Sequence, residues 1–173
     1  RIGTVLDAAH ARGHRATEAP TRSIGRGLPK QPRRDGHFAA MPWRDVPAFL
    51  QQLRESDRVT LTVARAMEFG ILLAVRSGEV RGARWSEIAA DRSTWSIPGA
   101  RKKEGRGLVV PLPERARDIL AEMHALRRTE DQELVFEGAK PRRPMSDMTF
   151  TMALRRLGTD VTFHGYRSSF RVW

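Results

Sequence analysis

Ala74-Val75-Arg76-Ser77-Gly78-Glu79 sets an arginine at the point where a long apolar pattern stops. Upstream, Val63, Met67, Ile71 and Ala74 recur at helical spacing with further apolar residues beside them, which predicts a helix over roughly residues 59–75 buried on more than one face. Ser77-Gly78 breaks the run, Glu79–Arg84 reads as a short second helix, and Trp85 and Ile88 return to the core. Arg76 therefore leaves the edge of the core, where its planar fork suits two oxygens of one phosphate. An arginine at a helix C-terminus is also favoured by the helix dipole alone.

Downstream, Thr94-Trp95-Ser96-Ile97 alternates as a strand, and Leu108–Leu112 is a second extended segment. Glycines 99, 105 and 107 punctuate the basic stretch between them, predicting a small antiparallel hairpin that projects Arg101, Lys102, Lys103 and Arg106. Pro113 precedes a helix over 114–127 with Ala116, Ile119, Leu120 and Met123 inward. Ser146 is a candidate N-cap for a helix over 146–157, with Met148, Met152 and Leu157 among its apolar positions. The last helix begins at Phe163, and a helix over 45–54 carries Val46, Phe49, Leu50 and Leu53. The architecture is mixed and mainly α.

Ahead of this region, Ile2, Val5, Leu6 and Ala9 mark a short helix. From Gly13 to Phe38, glycine, proline and basic residues replace periodic apolar ones, so that stretch reads as a linker, with a boundary near residues 37–41. The 173 residues suit one main domain with an attached arm. Thirty-one Lys and Arg against 20 Asp and Glu give a net charge of +11, which favours a polyanion: nucleic acid first, an anionic membrane surface second. The absence of cysteine excludes disulfides and thiolate chemistry. No apolar run is long enough to cross a bilayer.

In His164-Gly165-Tyr166-Arg167 the histidine and second arginine are three residues apart, neighbours on one face if helical. Joint contact with a phosphate and a structural histidine beside a solvated arginine are both compatible with that spacing. Gly165 admits a close approach by backbone or DNA, while Tyr166 and Phe170 turn toward the core. A hairpin lysine can protonate a departing sugar oxygen, and chemistry alone does not separate Lys102 from Lys103. Arg33, Arg34, Lys102, Arg106, Arg142 and Arg143 are candidates for salt-sensitive contacts to a nucleic-acid backbone, and a solvated, solubilising role is equally compatible with any one of the arginines. Trp43, Trp85 and Trp95 sit among apolar residues as core anchors.

Taken together, Val75-Arg76-Ser77-Gly78-Glu79, Arg84-Trp85-Ser86-Glu87-Ile88, Trp95–Pro98, Arg101-Lys102-Lys103, Val110–Pro113, Pro144–Ser146, Ala153–Leu157 and His164–Arg167 resemble, in order, the catalytic domain of tyrosine recombinases of the prophage (P4-like) integrase group. The resemblance covers about residues 40–173. It implies a catalytic domain with a small antiparallel hairpin packed beside helices, 16–39 as a basic linker, and 1–15 as the last helix of a core-binding domain. It assigns Arg76, Lys103, His164 and Arg167 to catalysis, with Lys103 rather than Lys102 as the acid, and Glu79 to support of Arg76. It also implies site-specific recombination of double-stranded DNA through a 3′-phosphotyrosine, without metal or nucleotide cofactor. Active assemblies are tetramers on two duplexes, in the nucleoid-associated cytoplasm of a bacterial host. The family's nucleophilic tyrosine belongs beyond Trp173, so these residues are expected to be monomeric alone and to bind DNA without completing cleavage. The alternatives are a noncatalytic DNA-binding product of an integrase and an RNA-associated module.

Overall fold

The structure is a computed structural model describing residues 2–27, 38–102 and 105–173. The chain divides into two compact units, Arg1–Asp35 and Gly36–Trp173. The first contains α1 (Ile2–Ala11) and α2 (Thr21–Gly27). α2 falls where composition predicts only linker. It forms because Pro20 offers its carbonyl to the Ile24 N–H at the helix start, while Asp7 of α1 accepts the Ala19 N–H at 2.8 Å. Thr21 packs against Gly3, where a Cβ would lie 2.7 Å from its methyl group.

The larger unit begins with a 3-10 turn over Trp43–Asp45 that runs into α3 (Val46–Glu55). α3 buries Phe49, Leu50 and Leu53. Its successor α4 (Leu61–Leu72) is the central helix, packed by α3, by α5 (Ser77–Arg81), by α6 (Glu114–Ala125) and by α7 (Thr149–Arg156). Small residues permit this crowding: a Cβ on Gly70 would meet Phe163 at 2.5 Å and Val80 at 2.7 Å. Phe69 faces Trp95 and Phe136, each with ring centroids 5.4 Å away, and all three are fully buried. Burial of each such ring is worth on the order of 1.5–3 kcal/mol.

α4 ends three residues short of the predicted 75. Ala74 adopts φ 49°, its N–H donates to the Ile71 carbonyl, and the Val75 N–H donates to that of Gly70, both at 3.2 Å. This is a Schellman closure with alanine rather than glycine in the left-handed position, followed by buried Val75.

β1 (Thr94–Ile97) and β2 (Leu108–Pro111) pair antiparallel, with Trp95 opposite Val110 and Ile97 opposite Leu108. Trp95 and Ile97 are buried and Ser96 exposed, as the alternation requires. The predicted inward stripe of α6 is the buried one. α7 starts at Thr149 rather than Ser146: the Ser146 carbonyl accepts the Thr149 N–H in a turn ahead of the helix, and Met148 holds the cap position. Its buried face is Phe150, Ala153 and Leu154; of the apolar positions read from the sequence, Leu157 is buried and Met148 and Met152 are exposed. α8 (Gly165–Val172) closes the unit. Among the described residues, no helix is long and apolar enough to cross a membrane.

Candidate nucleic-acid interface

The Schellman closure delivers the chain in extended conformation to Arg76, whose φ and ψ of −75° and 150° make it the residue capping α5. Glu79, only 4% exposed, anchors it twice. Its carboxylate accepts the Arg76 backbone N–H at 2.7 Å and a guanidinium N–H at 3.2 Å. One carboxylate thus caps the helix and holds the arginine near the core edge.

Arg76 lines an open cleft of about 310 Å³ together with Arg167, Lys102 and Arg106. These come from three separated segments: the α4–α5 junction, the hairpin loop, and the first turn of α8. Ala74, Val75, Gly107 and Leu108 supply apolar and backbone walls, and among the described residues Glu79 is the acidic one lining it. Among the described residues, four cations and one carboxylate that already faces Arg76 line the cleft, which gives it a positive balance. Arg167 is half-buried, and its backbone N–H donates to the His164 carbonyl at 3.1 Å.

His164 sits at the cap of α8, one turn ahead of Arg167, exposed, with its ring centroid 4.6 Å from that of Phe38. Gly165 takes the close approach anticipated for it from backbone: a Cβ there would lie 2.1 Å from the Ala39 carbonyl oxygen. Tyr166 is 3% exposed and packs on Phe49 with centroids 5.4 Å apart. Burial pushes its phenol pKa up, and its hydroxyl makes no hydrogen bond among the described residues. A group so placed is unsuited to attack a phosphodiester, since it is shielded from substrate and costly to ionise.

Lys103, Arg33 and Arg34 lie outside the described residues. Arg142 and Arg143 sit away from the cleft, on the loop between Glu137 and Pro144. Arg143 lines a separate depression with Lys140 and Arg128, whereas Arg142 ion-pairs with Asp131 and donates its backbone N–H to Glu137 at 2.9 Å. Arg101 does not project from the hairpin as predicted. It folds inward, donating to Glu87 at 2.5 Å and to the Gly82 carbonyl, while the Trp95 indole N–H reaches the same Glu87 carboxylate at 3.0 Å. Phe38, whose ring lies against His164, is the neighbour that motif reading misses. The only local signal was Gly165, which announced a close neighbour without naming it.

The fold is that of a tyrosine recombinase catalytic core. A lambda integrase fragment (residues 75–356) crystallised as a dimer on a COC′ core site aligns over 97% of this chain and 61% of its own, with a TM-score of 0.63 and 19% identity. XerH recombinase in a pre-cleavage complex with difH substrate aligns over 76% of this chain and 41% of its own, with a TM-score of 0.58 and 15% identity. Residues 41–173 match the profile of the phage integrase family. The integrase of enterobacteria phage P4 is 33% identical over 153 residues, which cover 78% of this chain and 34% of that protein. Prophage integrase IntZ of Escherichia coli K12 is 33% identical over 140 residues, covering 80% and 34% respectively. The chain belongs to the phage integrase family, and it spans about a third of the length of these curated relatives.

Proposed function

We propose that this protein acts in site-specific DNA recombination and that residues 40–173 bind the scissile phosphate. In this reading residues 1–15 end a core-binding domain and residues 16–39 link it to the catalytic one. The observation carrying the proposal is the convergence of Arg76 and Arg167 on one cleft with Lys102 and Arg106. The two arginines hold the non-bridging oxygens and stabilise the charge that grows on them in the pentacoordinate transition state. His164 orients or exchanges a proton at that phosphate. Lys103 protonates the departing 5′ oxygen, and a tyrosine hydroxyl forms the 3′-phosphotyrosine. A 5′-hydroxyl of the partner strand then reverses the step.

Arg33, Arg34, Lys102, Arg106, Arg142 and Arg143 contact the DNA backbone, with Arg142 first leaving Asp131. Buried Tyr166 favours a second statement within the same reading: these residues by themselves bind duplex DNA and do not cleave it. They are monomeric alone, and the intact protein works as a tetramer on two duplexes, associated with the bacterial nucleoid. Lambda integrase has been crystallised as a tetramer on a Holliday junction.

The test is duplex binding followed by fluorescence anisotropy, with a denaturing gel for covalent adducts. Arg76→Ala and Arg167→Ala are each expected to weaken binding, with no adduct from any variant. Unchanged affinity in both would remove the phosphate role from the cleft, and a Tyr166-dependent adduct would overturn the assignment of Tyr166.

A further inference from the structure

The segment Phe38–Met41 lies across the beginning of α8, and the two are joined at successive points. The Ala39 carbonyl accepts the Thr162 N–H at 2.9 Å and the Thr162 hydroxyl at 3.4 Å. That hydroxyl oxygen accepts the Gly165 N–H at 3.0 Å, so Thr162 links the segment to the first turn of the helix. One turn on, the buried Ser169 hydroxyl donates to the Met41 carbonyl at 2.5 Å. Between these bonds there is no slack, because a Cβ on Gly165 would stand 2.1 Å from the Ala39 oxygen and 2.9 Å from the Ala40 Cα. At the end of the segment, the Phe38 ring lies against the His164 imidazole, tilted by 58°.

His164 needs such support. Its side chain is exposed at a helix cap, where core packing does not select among the staggered rotamers. A phosphate-contacting imidazole is useful only if its ring is held in orientation before the ligand arrives. Phe38 is itself 60% exposed, so its packing against the imidazole is not explained by burial in the core. The hydrogen bonds through Ala39, Thr162 and Met41 hold the backbone that carries Phe38 to this place. We infer that Phe38 is a positioning residue for His164, carried there by the Ala39–Thr162 hydrogen bonds, and that the segment Phe38–Met41 thereby sets the geometry of the imidazole one turn ahead of Arg167. This rests on the reading of His164 as a phosphate contact.

The experiment is NMR of the His164 ring protons in the 173-residue chain, free and with a short mixed-sequence DNA duplex. The variants are Phe38→Leu, which keeps apolar bulk without a ring, Phe38→Tyr, which keeps the ring, and Thr162→Val, which removes the hydroxyl link. Near-UV circular dichroism checks that each folds. Phe38→Leu is expected to abolish the ring-current displacement of the His164 protons and most of their response to DNA, while the Arg167 guanidinium response persists. Thr162→Val should act in the same direction, and Phe38→Tyr should restore both signals. His164 resonances that Phe38→Leu leaves unmoved, free and bound, would overturn the inference, as would failure of Phe38→Tyr to restore them. A wild-type His164 that ignores DNA yet shifts in Phe38→Leu would remove its phosphate role while supporting the contact that orients it.

Discussion

Arg76 owes its place to two residues of opposite kinds, a strained alanine before it and a buried carboxylate after it. Ala74 in the left-handed region carries a cost of about 1 kcal/mol that glycine would avoid. Glycine would also loosen the unfolded chain, which returns roughly half of that gain. Ala74→Gly is therefore expected to stabilise the protein by about 0.5 kcal/mol in urea unfolding. Glu79→Ala should instead destabilise it. It removes a helix cap and a charge-assisted hydrogen bond from a buried site, a loss of about 2 kcal/mol, and it weakens duplex binding in the direction of Arg76→Ala. The sequence announces this corner through Ser77-Gly78, but puts the stop in the wrong place. Gly78 lies inside α5, and the left-handed residue is an alanine, a type with no local preference for that conformation. Only the packing of buried Val75 and Val80 onto the unit selects it.

At the scale of the hairpin, three successive basic residues look alike in sequence, and the fold separates the two that are described. Arg101 turns to Glu87, whose side chain is 8% exposed, and Lys102 turns to the cleft. The choice depends on a carboxylate fourteen positions upstream, held by its own turn and by the Trp95 indole, and no period within the loop encodes it. Glu87→Ala leaves the half-buried Arg101 without its carboxylate and costs about 3 kcal/mol. It is expected to raise hydrogen exchange across residues 98–107 and to lower duplex affinity, because the loop presenting Lys102 and Arg106 loses its inner anchor. The strands themselves were legible, since Trp95 and Ile97 alternate with Ser96 and only one register buries both. α2 was not: its start depends on Asp7 from another helix, in a stretch whose composition favours irregular chain.

Across the whole molecule, the surplus of arginine is divided between fold and surface. Arg54, Arg65 and Arg115 surround Glu68, which is fully buried in central α4, and Arg65 and Arg115 also hold Glu122 of α6. Burial pushes the Glu68 carboxyl pKa up, but hydrogen bonds and charge from Arg115 and Arg54 outweigh it and hold the group below its ordinary value of 4.5. Burial likewise raises Glu122, and Arg65 and Arg115 bring it below 4.5. Depressed folded-state values mean that the network contributes its full stability above pH 4.5 and loses it as the pH falls from there through the folded values. Urea unfolding across that interval should show the loss, and Glu68→Gln should flatten it. These arginines are committed to carboxylates inside one unit, so the count of 31 Lys and Arg overstates the cations that DNA can use in a way that only three-dimensional pairing discloses. Arg106 belongs to the other class, being exposed at the cleft. If it neutralises one phosphate, Arg106→Ala reduces the slope of log affinity against log salt by about 0.9. Arg142→Ala should change the slope less, because Asp131 competes with DNA for its guanidinium and the released carboxylate repels the same backbone. Equal slopes for wild type and Arg106→Ala would place the cleft off the DNA path, whereas a larger loss for Arg142→Ala would move the contact surface to the Glu137–Pro144 loop.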